Sequence, residues 1–203
     1  MRAIFVGIVL ILVTGFRPFH PGGVLTHRLI VQPASKIIIN GKTNVNLYQC
    51  AITSYTGNDT LVLQEGGARK RPIFTQGFVG LEAQRFDCGM QLMTHDFRET
   101  IKYNEYPVVS IEFISFERIP QLSTGKDSFN GRMRISLAGV TKPFDVICTI
   151  EVEPSGLIHL KGGKSFTFSD FNLIPPTRMM GLVKVEDSIK VNFHLVLLLD
   201  ENG

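Results

Sequence analysis

Residues 86–116, FDCGMQLMTHDFRETIKYNEYPVVSIEFISF, carry a cysteine, an apolar-faced helix and a strand in one run, and the changes of period inside it decide the fold. Met90, Met93, Phe97 and Ile101 recur at spacings of three, four and four, which sets them on one side of a helix with about 3.6 residues per turn. His95, Asp96, Arg98, Glu99 and Lys102 fall on its other sides, so the spacing predicts a short amphipathic helix. Tyr106-Pro107 ends that pattern, because a proline drives its predecessor out of the helical region. Beyond it the apolar period drops to two: Val109, Ile111 and Phe113 alternate with Ser110 and Glu112, as in a strand with one buried face.

On either side of this run the chain reads as strand after strand. Residues 27–32 and 36–40 are short β-branched runs with a bend at Pro33-Ala34, and Gly41-Lys42 turns into a third run over 43–50. Residues 61–64 form a weaker strand, 66–72 a loop, and 77–84 return to an extended pattern. After the central strand, over 108–119, residues 121–130 are rich in Gly, Asp, Asn and Ser and read as a connecting loop. Met133, Ile135 and Leu137 then alternate with Arg132, Arg134 and Ser136. Residues 139–143 read as a tight connection to a strand over 144–152, and Pro154-Ser155-Gly156 as the next turn. The extended run 157–168 is interrupted by Gly162-Gly163, where missing side chains permit a bend or bulge. A last strand over 188–199 places Ile189, Val191, Phe193, Leu195 and Leu197 on one face. Roughly eight strands, one helix and no βαβ rhythm predict an all-β chain whose antiparallel sheet closes into a barrel.

The 203 residues suit one domain, and 44% apolar with 19% charged residues is enough for a sizeable core. A formal charge of +3 with scattered basic residues gives no stripe for a nucleic-acid backbone, and Arg69-Lys70-Arg71 reads as a solvated loop. Tryptophan is absent and most aromatic residues are Phe, which suits an apolar interior better than a stacking surface.

No chemistry-bearing motif stands out. The five histidines, His20, His27, His95, His159 and His194, show no close pairing and no HExxH spacing, and the cysteines no CxxC, so the sequence offers no metal site. His95-Asp96 is the one adjacent acid–base pair, but neighbours on a helix point apart, and no nucleophile motif accompanies them. Asn58-Asp59-Thr60 reads as a turn. The Gly-Gly pairs lack the context of a phosphate loop. A catalytic residue, a metal and a cofactor are therefore not expected.

At the N-terminus Arg2 precedes an apolar run over residues 3–13, followed by Thr14, Gly15 and turn-forming prolines and glycines. The run is shorter than a membrane span of about 20 residues and has the length of a signal-peptide core. Residues 1–23 are read as a signal peptide with no clean Ala-x-Ala cleavage site, an uncleaved anchor being the alternative, and 24–203 as a single barrel domain.

Parity nominates the inward residues: Ile111, Phe113, Ile135, Leu137, Phe144, Val146, Phe166, Phe168, Phe193 and Leu195, joined by Met93 and Phe97 from the helix. An eight-stranded barrel either fills its interior with such side chains or leaves room for one apolar ligand, and parity does not choose between the two. The helix shares that ambiguity, as plain core or as an adaptable methionine gate over an apolar ligand.

Several separated motifs resemble the bacterial YceI-like family: IIINGKTNVNLYQC over 37–50, FDCGM, MTHDF and KYNEYPVVSIEF over 86–113, GRMRISLAGVTKPFDV over 131–146, and FSDFNLIPPT over 168–177. They occur in order across most of residues 37–199. The resemblance implies a lipocalin-like antiparallel barrel that binds, stores or carries a long polyisoprenoid lipid in a tunnel without transforming it, in the periplasm or outside the cell. Members of the family can form homodimers, which makes a homodimer an expectation here; membrane contact is expected to be transient or made through an uncleaved N-terminus. The alternative is a filled barrel acting as an envelope stress or interaction module. Of the three cysteines, Cys50 and Cys88 each end a family-like motif beside turn residues, whereas Cys148 shares the parity of Phe144, Val146, Ile150 and Val152 and reads as a small buried hydrophobe. In an oxidising compartment three cysteines suggest one disulfide and one leftover thiol, and Cys50–Cys88 is the expected pair, two unpaired thiols being the alternative.

Overall fold

The alternation read from the sequence becomes hydrogen-bonded pairing in a computed structural model that describes residues 25–66, 70–122 and 125–200. Strands β1 (Thr26–Val31) and β2 (Lys36–Thr43) both run along one edge of the longest strand, β12 (Val183–Leu199), with the expected bend at Pro33-Ala34 between them. Strands β3 (Leu47–Ile52) and β4 (Thr60–Gln64) likewise succeed one another, β3 on β2 and β4 on β1. A third broken pair, β5 (Ile73–Gln76) and β6 (Phe78–Glu82), lies along β7 (Val108–Phe116). Then β8 (Asp127–Leu137), β9 (Val140–Val152) and β10 (Leu157–Thr167) follow in a meander, and β10 returns to β12. Counting each broken pair as one strand gives the closed eight-stranded antiparallel barrel that the sequence predicts. A two-residue strand, β11 (Thr177–Arg178), adds to the start of β12.

The amphipathic helix is α1 (Gln91–Thr100). Phe97 and Ile101 are buried as expected, but Met90 lies outside the first turn and is exposed, because the helix begins one residue later than its apolar period. Its start is laced to the preceding turn: Thr94 Oγ1 accepts from the Cys88 amide at 2.9 Å and donates to Asp87 Oδ1 at 3.2 Å. A disulfide between Cys50 on β3 and Cys88 fixes that turn to the barrel. Beside it, Ala51 and Asp87 exchange backbone hydrogen bonds of 2.8 and 2.9 Å. These links close the seam where β3 has no ladder to β6. Cys148 is buried and unpaired, its thiol pushed up to about 12 by desolvation.

Several local expectations are corrected. Strand β8 begins at Asp127, inside the stretch read as a loop, because Arg118 grips the Asp127 carboxylate through two nitrogens at 2.7 and 2.6 Å and the Phe129 ring packs on Phe116, centroids 4.6 Å apart. The connection read at 139–143 is a two-residue turn: Ala138 and Gly139 both take positive φ, 48° and 78°, and β9 resumes at Val140. Pro143 is tolerated inside β9 because the β10 ladder to this strand ends at Ile147. Gly162-Gly163 makes no bulge, since β10 pairs with β12 without a register shift from Leu157 to Thr167. Gly162 is instead required by its cross-strand partner: a Cβ there would stand 2.4 Å from Phe193 Cζ. The signal peptide expected over residues 1–23 lies outside the described residues, and among these no helix is long and apolar enough to cross a membrane.

Candidate functional site

Strand alternation fills the barrel differently at its two ends. At one end Phe74, Phe113, Phe116, Phe129 and Phe193 form a chain of ring contacts, with centroids between 4.6 and 5.8 Å apart, and Met133, Val146 and Leu195 are buried around them. The ring contacts make this end an aromatic plug. At the other end the strands carry aliphatic residues, Ile37, Ile39, Ile111, Ile135, Leu137, Ile189 and Val191, and these surround an enclosed apolar cavity of about 40 Å³. Phe97 of α1 and Ile101, just past its end, close over it, and Phe166, Phe168 and Phe171 wall it beyond the end of the β9–β10 ladder. Phe144 stands behind that wall, its ring 4.5 Å from Phe166 and 6.1 Å from Phe171.

A second apolar cavity of about 150 Å³ opens outward between α1, β2, β3 and the segment from Pro176 to Val185. Met93, Phe97, Phe168, Pro176, Val183 and Val185 supply its apolar lining, and Thr43, Tyr48, Asp96, Thr100 and Arg178 its polar groups. Phe97 and Phe168 line both cavities, so these two rings are the partition between the mouth and the interior. Phe97 is braced from behind by Phe86, ring centroids 5.2 Å apart. Across the mouth, Arg178 forms an ion pair with Asp96, donating from Nε to Oδ2 at 2.6 Å, and so straps β11 to the helix. The Asp96 carboxylate thus serves Arg178 rather than His95. Burial pushes the Tyr48 hydroxyl up to about 12, so it stays a neutral donor at the edge of the mouth.

Of the residues nominated from parity, Ile111, Ile135, Leu137, Phe166, Phe168 and Phe97 line the inner cavity, and Met93 lines the mouth. Phe113, Val146, Phe193 and Leu195 lie in or around the plug, and Phe144 in the second layer. The sequence reading missed Ile37 and Ile39, because residues 37–39 are three isoleucines in a row and a run without alternation names no face. It also missed Tyr48 and Arg178, which the fold brings to the mouth from separate parts of the chain.

Outside the barrel the fold unites two histidines that the sequence holds apart. His159 Nδ1 lies 2.7 Å from His194 Nε2, and His159 Nε2 lies 2.6 Å from Glu153 Oε1. The spacing in the sequence gives no sign of this pair, because the two residues are 35 positions apart and meet only across the neighbouring strands β10 and β12. Desolvation, then the positive charges of Lys161, His159 and Lys36, hold His194 below its ordinary value. Among the described residues no three or more His, Cys, Asp or Glu side chains are arranged so that they could hold a metal ion.

In sequence, no family model and no curated protein matches the chain. Among solved structures, the chain is similar to a polyisoprenoid binding domain from Saccharophagus degradans implicated in plant cell wall breakdown, at 12% identity and a TM-score of 0.61, covering 85% of this chain and 98% of that one. It is also similar to BcnA from Burkholderia cenocepacia, at 17% identity and a TM-score of 0.57, covering 80% of this chain and 95% of that one. Strand order and the capping helix match the barrel expected from the motifs, and these two likenesses show that the chain shares the antiparallel barrel fold of those two structures.

Proposed function

We propose that the barrel binds a long apolar lipid of isoprenoid type, takes it in through the mouth beneath α1, and stores or carries it in the cell envelope without transforming it. The observation that carries this reading is the pair of apolar cavities that share Phe97 and Phe168 as their partition. A ligand tail entering at Met93 meets hydrocarbon along its path, while Tyr48, Thr43 and Arg178 remain at the opening for a polar head. Each CH₂ transferred from water to such a lining contributes about 0.8 kcal/mol before the ordering of the tail is subtracted. The described ligand of the structural neighbour from Saccharophagus degradans supports the choice of ligand class. The disulfide supports an oxidising compartment, periplasmic or extracellular.

The size of the cavities sets a condition. Their 40 and 150 Å³ fall below the roughly 300–1,000 Å³ of a site for a drug-sized ligand, so a tail is admitted only when Phe97 and Phe168 turn aside. The same small inner volume favours a second reading, a filled barrel that serves as an envelope stress or interaction module. Mass spectrometry separates them. The protein, exported through its own N-terminus and purified without detergent, is weighed natively and again after organic extraction. A stoichiometric apolar molecule that leaves on extraction supports the lipid reading and identifies head and tail; a bare chain from hosts with different quinones and polyprenols supports the filled barrel. The native mass also tests the homodimer.

A further inference from the structure

Large apolar side chains that face water lie on and beside the elements that form the mouth. Leu47, Met90, Leu92, Met179, Met180 and Leu182 are each 60% or more exposed, and Met180 is fully so. They come from three elements that the structure fastens into one surface. Asn44, in the turn between β2 and β3, donates to the Leu182 carbonyl at 2.9 Å and accepts from the Lys184 amide at 2.9 Å. The Arg178–Asp96 pair joins the same segment to α1. Met90 and Met93 border both the mouth and a groove of about 630 Å³ along β3 that also includes Leu47. The patch is therefore continuous with the opening of the apolar cavity.

The backbone holds two of these side chains out at a cost. Met179 and Met180 take φ of 53° and 55°, and Gly181 continues at 89°. Two consecutive non-glycine residues in the left-handed region are uncommon, and neither buries its side chain in return. Methionine is also the apolar residue that adapts best to a disordered partner.

We propose that this rim is a membrane-docking surface, which sets the mouth against a lipid bilayer so that an apolar chain passes between bilayer and barrel without crossing water; the inference rests on the lipid-binding reading above. A bilayer is the fitting occupant because the patch borders an opening into an apolar cavity, and a second copy seated there would close it. The charge is compatible with anionic head groups: Asp96 and Glu186 are paired with Arg178 and Lys42, while Lys184 makes no ion pair among the described residues. The balance is only slightly positive, so insertion of the apolar side chains supplies most of the binding.

The chain has no tryptophan, which makes a single introduced indole a clean reporter. Met180→Trp places the indole on the rim, and Ile147→Trp, on the exposed outer face of β9, serves as the control. Each protein is mixed with vesicles of phosphatidylethanolamine and phosphatidylglycerol in equal amounts. The expected result is a blue-shifted emission from the rim indole, quenched by brominated acyl chains, with the control indole unchanged. In the otherwise native chain, Met180→Asp with Leu182→Asp is expected to weaken vesicle co-sedimentation by about tenfold or more while the melting temperature is kept. Rim emission that stays at its water value at saturating vesicles overturns the proposal. So does rim emission already blue-shifted without vesicles in a protein that sediments as a dimer, which assigns the rim to a second copy. Organic extraction of the native chain keeps the two readings apart: an inserted rim indole with no extractable lipid sinks the carrier reading alone, and extractable lipid with the rim indole in water sinks the docking surface alone.

Discussion

Gly162 faces Phe193 across the β10–β12 ladder, and the Phe193 ring occupies the place where a side chain would stand. Gly162→Ala is therefore expected to cost about 1–3 kcal/mol by overpacking, measured by denaturant unfolding. In a Phe193→Leu background the same change should cost much less, and an equal cost in both backgrounds would show that backbone effects dominate. His194 gives a prediction of different kind. Its folded pKa is held below 6.5, so as pH falls the unfolded chain takes up this proton first. The group's contribution to stability is complete above about pH 6.5 and is lost progressively below it. A His194→Gln protein should show a shallower loss of stability between about pH 7 and about pH 5 than the native chain. Parallel curves would rule out His194 as a source of that slope. In the sequence neither residue looked special: Gly162 read as a bend, and His159 and His194 are 35 positions apart.

Among the elements, α1 and the turn before it were the most legible, because a 3.6-residue period followed by a proline and a period of two leaves few alternatives. What the sequence did not reveal is how the helix is attached. The Cys50–Cys88 bridge was one of two open readings, and only pairing of the β3 edge with Asp87 shows why it stands there: it fastens a seam that the sheet leaves unzipped. Closing a loop with a sequence separation of 38 contributes about 4 kcal/mol in the chain-entropy model. Cys50→Ser with Cys88→Ser is expected to lower unfolding stability by up to about that amount, with the barrel's far-ultraviolet spectrum preserved. Thiol alkylation of the native chain under denaturing, non-reducing conditions should label one cysteine, Cys148, and three after reduction. Along the helix, Met93→Ala removes a half-buried mouth residue and should reduce the yield of extracted lipid more than it lowers stability, whereas Phe97→Ala should cost about 3–5 kcal/mol. An unchanged ligand yield with a large stability loss for Met93→Ala would assign that side chain to the core.

At the scale of the whole molecule, a closed antiparallel sheet was readable from strand count and turn chemistry, since edges must be removed somehow. The division of the barrel into plug and cavity was not. Alternation states which side of a strand faces inward, and it is silent about how high along the barrel axis each inward residue lies. Phe113 and Ile111 share a face two residues apart, yet one belongs to the plug and the other to the cavity wall. Height follows from the stagger of neighbouring strands, and the breaks at residues 32–35, 53–59 and Gly77 reset it for three of them.

The closing strand, β12, bonds to β10 on one side and to both β1 and β2 on the other, with Leu29 opposite Leu199 and Val31 opposite Leu197. Barrel assembly is therefore governed by arrival time. Whether the chain emerges N-terminus first from a ribosome or from an export channel, β1 and β2 wait with an open edge for a partner that arrives last among the described strands. Pairings of such long sequence separation form slowly. A chain that stops short of Val183 leaves β1, β2 and β10 each without the β12 ladder, and those edges stay open. Ribosome-arrested chains of increasing length should stay protease-sensitive until β12 has emerged, then acquire protection in a single step.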